Sequence, residues 1–179
     1  MKAYQPKNIK ENNKNLIIQI LRESDQPLTK RELSSRSDLS VVTINKLIPE
    51  LLATQVITEI ANPIETGGRY ATAYEFNADF QFILINLFIE RQGETVVDFY
   101  VINLLGQIID LLELTSVTQE NFKQNLVELK DKYPKISLSI SGIPGIEHDN
   151  RLKIMELDSF KQLDLNQLIH SNDKYPILY

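Results

Sequence analysis

Apolar residues recur at helical spacing twice within the first 55 positions. Leu16, Ile17, Ile20 and Leu21, separated by Asn15, Gln19 and Arg22, predict a helix from about Lys7 or Lys10 to Glu23 that stops before Pro27. Ile44, Leu47, Ile48, Leu51 and Leu52 predict a second amphipathic helix, and Ser40 is placed to cap its first turn. Between them, Thr29-Lys30-Arg31-Glu32 has the spacing of a capping box. Thr29 and Glu32 would each satisfy the other's orphan amide and start a short helix to about Arg36, with Leu33 as its inward anchor. Pro49 conflicts with this pattern. A helix-interior proline forfeits a hydrogen bond at a cost of ~3 kcal/mol, so a kink or break is expected near Ile48.

Beyond these helices the period shortens. Val56 to Ile60 is β-branched, and Tyr70 to Phe76 alternates Tyr70, Thr72, Tyr74 and Phe76 with Ala71, Ala73 and Glu75; Asn62-Pro63 and Gly67-Gly68 between them form turns. Three helices followed by a two-stranded ribbon read as a winged helix-turn-helix. From Phe80 onward, Phe82–Ile89, Thr95–Ile102 and Gln107–Leu114 read as an antiparallel meander turning at Gly93 and at Asn103–Gly106. A helix follows at about Glu120 to Tyr133, with Phe122, Leu126 and Leu129 on one face. Next come a buried strand at Ile136–Ile140 and a sharp exit turn at Ser141-Gly142-Ile143-Pro144-Gly145. Arg151–Met155 is expected as a short strand, Leu163–Ser171 as a helix and Tyr175–Tyr179 as a last strand. The expected organisation is two domains, residues 1–77 and 78–179, of mixed α/β class.

Charge sharpens this division. The net charge of −5 is unevenly spread: residues 1–70 hold ten Lys/Arg against eight Asp/Glu, and residues 71–179 hold nine against sixteen. A module of charge +2 on a body of charge −7 suits a DNA-facing domain, and dimerisation would double its phosphate contacts. The 179-residue chain has no Cys, so thiolate chemistry and cysteine zinc sites are excluded, and a reducing cytoplasm is the expected location. Two His supply no multi-histidine metal site, and no cofactor is expected. His148, in the polar stretch Glu147-His148-Asp149-Asn150, is expected to be solvated in a turn, and His170 near a helix end. Met1 to Lys14 lacks an apolar targeting core, and no apolar run approaches the roughly 18 residues needed to span a bilayer.

The expected DNA contacts lie on the face of the third helix opposite its apolar stripe. Asn45 suits pairing with adenine, Thr43 a base or phosphate, and Val41 or Val42 a thymine methyl; Lys46 suits phosphate. Thr29, Lys30, Arg31 and Ser40 flank them. Arg69, beside two glycines, either enters a minor groove or touches phosphate, or else packs on Tyr70.

These residues resemble those of the ROK family, which combines sugar-responsive repressors with bacterial sugar kinases. The matching stretches are Leu28-Thr29-Lys30-Arg31-Glu32-Leu33, Leu39-Ser40 with Thr43-Ile44-Asn45-Lys46-Leu47-Ile48, Glu50-Leu51-Leu52 with Val56, and Thr66-Gly67-Gly68-Arg69. The last is followed by Tyr70 where the repressor branch usually has proline. The resemblance implies a winged helix followed by the first part of an actin-like, ribonuclease-H-like lobe. It also implies a repressor of carbohydrate genes that binds operator DNA as a homodimer or higher oligomer and answers to a sugar or sugar-phosphate effector. Ser141-Gly142-Ile143-Pro144-Gly145-Ile146 is similar to the family's loop near the sugar cleft, which makes Gly142, Pro144 and Gly145 candidate effector contacts or simply a strand exit.

In the family's kinases an aspartate and a glycine pair cradle ATP phosphates. The corresponding stretch here is Ile85-Asn86-Leu87-Phe88-Ile89-Glu90, where Asn86 replaces the carboxylate and Leu87 and Phe88 replace the glycines. Phosphoryl transfer is not expected. The family's Glu-Asn-Asp and cysteine zinc motifs would fall beyond Tyr179, so the chain is expected to be a fragment or a short form whose half-lobe oligomerises through exposed apolar surface. A kinase with an appended DNA domain and a winged helix used for protein contact remain as alternatives.

Overall fold

The computed structural model describes residues 6–61, 72–143, 146–148 and 151–153. The chain divides into two compact units, Met1–Ala78 and Asp79–Tyr179.

The first unit is built of α1 (Pro6–Arg22), β1 (Leu28–Thr29), α2 (Lys30–Ser37), α3 (Val41–Ala53), β2 (Ile57–Ala61) and β3 (Thr72–Phe76). Its core joins Ile17 and Leu21 of α1, Leu28 of β1, Leu33 of α2, and Ile44, Leu47, Ile48 and Leu51 of α3, with Ile57 and Tyr74 from the strands. The apolar stripes that predicted the helices are thus the surfaces that bury one another. Leu52, expected in the same stripe, is half-buried at its edge. The sheet order is β1-β3-β2, all antiparallel, with Leu28 opposite Tyr74 and Ile57 opposite Phe76. Two-residue β1 gives no periodic signal in the sequence, yet it makes β3 a central strand. Ala73 and Tyr74 are consequently both buried, where simple alternation predicts one.

Helix α3 runs through Pro49 from Val41 to Ala53, so the break expected near Ile48 is absent. The missing N–H would have served the carbonyl of Asn45. Both residues are exposed, so water can take that acceptor, while the buried stripe on the opposite side holds the helix in place.

The second unit contains β4 (Phe82–Arg91), β5 (Glu94–Asn103), β6 (Ile108–Leu114), α4 (Gln119–Lys132) and β7 (Ile136–Gly142). Strand order is β6-β5-β4-β7, with β4, β5 and β6 antiparallel and β7 parallel to β4. Gln92 and Gly93, at φ 53° and 82°, close the β4–β5 hairpin in two residues, a turn that needs positive φ at both positions. Asn103 organises the next turn: its Oδ1 accepts from the amides of Leu105 (3.1 Å) and Gln107 (3.0 Å), and its Nδ2 donates to Asp79 (3.1 Å). Helix α4 starts at a Thr118–Asn121 capping box and packs Phe122, Leu126 and Leu129 against Leu84, Phe88, Val97, Phe99 and Val101 on one sheet face. On the other face, among the described residues, β4 presents Ile83, Ile85 and Ile89 half-buried and Leu87 exposed.

Two short strands, β8 (Ile146–His148) and β9 (Arg151–Lys153), form an antiparallel pair. His148 is therefore a strand residue opposite Arg151, where a turn was expected, because its backbone pairs with that of β9. Strand β7 runs through Gly142, so Ser141 and Gly142, expected in the exit turn, are strand residues. Leu163–Ser171, with His170, and Tyr175–Tyr179 lie outside the described residues.

Candidate nucleic-acid interface

Helices α2 and α3 are joined by a turn of three residues that is fixed from within. Asp38 ends α2 in the left-handed conformation at φ 57°, which its short side chain tolerates. Ser34 Oγ donates to the carbonyl of Leu39 (2.6 Å), Ser37 Oγ to that of Leu33 (2.6 Å), and the Leu39 amide donates to Ser37 Oγ (3.3 Å). The start of α3 is therefore held relative to α2 by hydrogen bonds as well as by the shared core.

Thr29 belongs to this framework. Its amide and its hydroxyl each donate to Glu32 Oε2 at 2.7 Å, and the Glu32 amide donates to Thr29 Oγ1 at 3.3 Å. Those bonds to the Thr29 amide and hydroxyl hold the Glu32 carboxyl below the usual carboxylate range. A contact from Thr29 to any ligand would have to break this cap. Lys30 is half-buried with Nζ 5.9 Å above the Tyr74 ring, whereas Arg31 is exposed; both line a concavity of about 420 Å³ with Thr29, Thr72 and Tyr74.

At the head of α3, Ser40 Oγ accepts from the Thr43 amide (3.1 Å) and lies 2.9 Å from Thr43 Oγ1. Ser40 and Thr43 therefore close the first turn on each other. Val41 and Val42 are 47% and 64% exposed. Asn45 and Lys46 are also exposed, and their side chains make no hydrogen bond or ion pair among the described residues. The surface thus offers two methyl-bearing side chains, an amide able to donate and accept, and an ammonium, all on the side away from the core.

A groove of about 590 Å³ runs along α3 on its α1 side. Thr43, Asn45, Lys46 and Glu50 of α3 line it together with Ile9, Lys10 and Asn13 of α1. Glu50 Oε1 lies 2.6 Å from Lys10 Nζ, and its Oε2 lies 3.0 Å from Lys14 Nζ. Lys10, then Lys14, lower the Glu50 carboxyl, and Glu50, then Glu11, raise Lys14. Sequence reasoning missed these α1 residues. Lys10 and Lys14 are one helical turn apart, which shows a shared face but not the helix that face meets.

Arg69, Gly67 and Gly68 lie outside the described residues, as do Pro144 and Gly145. Gly142 is the last residue of β7, opposite Leu87. A Cβ there would come 2.7 Å from Leu87 Cδ2, the end of an exposed side chain. Ile85–Glu90 all belong to β4, with no phosphate-cradling turn among them. Asn86 is buried, and its Nδ2 donates to Ser139 Oγ (3.3 Å) and Ser141 Oγ (3.4 Å) on β7; Phe88 is in the core. Among the described residues no three His, Asp or Glu side chains are grouped to hold a metal ion, and no helix is long and apolar enough to cross a membrane.

No protein-family model and no curated protein match this chain. Among solved structures, it is similar to a ROK family transcriptional regulator described as a homolog of the E. coli MLC protein. The TM-score is 0.53 at 16% identity, over 94% of this chain. This chain spans only 45% of that regulator's length. The fold is thus mixed α/β and like that of a ROK regulator. The Helicobacter pylori ferric uptake regulator Fur also aligns, at 14% identity over 79% of this chain and 93% of that one, with a TM-score of 0.32.

Proposed function

We propose that this protein is a DNA-binding transcriptional regulator, whose first unit is a winged helix-turn-helix reading duplex DNA through α3. The observation that carries the proposal is the outer face of α3: Val41, Val42, Asn45 and Lys46 are exposed and unused internally, on a helix whose start is fixed to α2 by the Asp38–Ser40 turn. A reading helix needs such side chains near its N-terminus, held at a defined angle to the helix before it. Asn45 would pair with an adenine edge, Val41 or Val42 would meet a thymine methyl, and Lys46, Arg31 and Lys30 would neutralise phosphates. Thr29, Ser40 and Thr43 would act chiefly by fixing the helix starts, since their hydroxyls are already engaged there. Arg69 would belong to the wing.

The likeness to a ROK regulator supports extending this reading. In it the protein is a repressor of carbohydrate genes that binds a palindromic operator as a homodimer or higher oligomer. Its second unit would be the first part of an actin-like lobe, able to carry a sugar or sugar-phosphate effector near Gly142, Pro144 and Gly145, and to associate through the sheet face bearing Ile85 and Leu87. Kinase activity is disfavoured by the aliphatic and aromatic side chains of Leu87 and Phe88 within β4, which leave no glycine backbone for phosphates.

Enrichment of bound duplexes from a random pool tests the proposal. Wild type should select a two-fold symmetric site, and Asn45→Ala should relax one position of it by ~1–3 kcal/mol of discrimination. Lys46→Ala should weaken all duplexes alike. Failure to enrich any sequence, or equal effects of the two substitutions on random DNA, would contradict the reading role of α3.

A further inference from the structure

The groove between α1 and α3 carries charges that the reading of α3 alone does not use. One carboxylate, Glu50, holds the ammonium groups of both Lys10 and Lys14, and Lys10 and Asn13 line the same groove as Asn45 and Lys46. Lys10 and Asn13 are three residues apart on α1 and so are neighbours on its surface. Asn13 makes no side-chain hydrogen bond among the described residues. The Lys10 and Glu50 side chains are 48% and 39% exposed, so water and other anions reach the pair.

We infer that this groove is a second phosphate-binding strip, in which Lys10 and Asn13 grip the DNA backbone alongside α3 and Glu50 is a built-in brake that must release Lys10. The inference rests on the proposal that α3 reads DNA. Charge complementarity selects the occupant: Glu50 already fills the acceptor position of an anion bridging two ammonium groups, and a phosphate offers the same oxygen geometry. Continuity selects it too, because the strip is walled by Asn45 and Lys46, the residues that would face the duplex. Glu11, 3.2 Å from Lys14, is the second internal competitor and leaves Lys10 as the ammonium held by Glu50 alone. In the absence of DNA the internal pairs keep the strip from attracting unrelated anions, and a duplex that docks α3 well enough displaces them.

The full-length chain, titrated by anisotropy against a labelled mixed-sequence duplex over a salt series, tests this. Lys10→Gln should weaken binding about five- to tenfold near 0.1 M salt and reduce the slope of log K against log salt by about 0.9, the loss of one phosphate contact. Glu50→Gln should do the opposite to affinity, tightening binding because no internal pair has to be broken, with a slope no shallower than that of wild type because the phosphate contacts are kept. If the pair served only to brace α1 on α3, both substitutions would weaken binding in the same direction, and the inference would be overturned. It would also fail if neither changed affinity or slope while Lys46→Ala still weakened binding, an outcome that leaves the reading role of α3 standing. A wild-type chain that binds no duplex at low salt would remove the parent proposal and this one together.

Discussion

Glu32 shows how one side chain can set the start of a helix and tie it to pH. Its carboxylate accepts both the amide and the hydroxyl of Thr29, and those bonds favour the ionised form in the folded chain. A carboxyl ionising more readily when folded than when unfolded contributes stability that is whole above the ordinary carboxylate range. That stability is lost as pH falls through the lower folded value. Thermal midpoints of wild type and Glu32→Gln should therefore differ at neutral pH and converge as the pH is lowered through that range; a gap that persists in acid would mean the carboxylate is not the stabilising form. Ser40 acts at the next helix by a neutral version of the same device. Ser40→Ala leaves the Thr43 amide without its acceptor and should cost ~1 kcal/mol in chemical denaturation.

Helix α3 and the helices around it were legible because their signals are local: a cap, a spacing and a stripe each lie within one or two turns. Thr29, Glu32 and Ser40 occupy the cap positions that their spacing predicts, and Ile44, Leu47, Ile48 and Leu51 are the buried stripe. What was not legible depends on pairing between distant segments. Strand β1 exists because Leu28 meets Tyr74, β8 because Ile146 meets Lys153, and the Lys10–Glu50 pair because α1 lies beside α3. Pro49 was misjudged because its local penalty is set against the burial of a whole helix face. Pro49→Ala should accordingly stabilise the protein, by no more than ~3 kcal/mol, since the bond it restores is at an exposed carbonyl. A fall in thermal midpoint would show that the proline is needed for the helix's path. In the second unit, Phe122 is buried against Phe88 and Phe99, with ring centroids at 5.3 and 5.4 Å. Phe122→Ala should cost ~3–5 kcal/mol, read by denaturant unfolding.

At the scale of the molecule, a module of weak positive charge is joined to an acidic one, and the balance decides how DNA could be held. Binding by α3 alone would rest on few phosphates. The α1 strip and a second protomer would each add more, so the account depends on electrostatics spread over several elements rather than on one basic patch. The measurement that bears on this most directly is the affinity of the full-length protein for duplex DNA as a function of salt concentration. The account predicts measurable binding at low salt, with log K falling linearly against log salt at a slope of several phosphates, about 0.9 for each. Absence of duplex binding at low salt, or binding indifferent to salt, would contradict it.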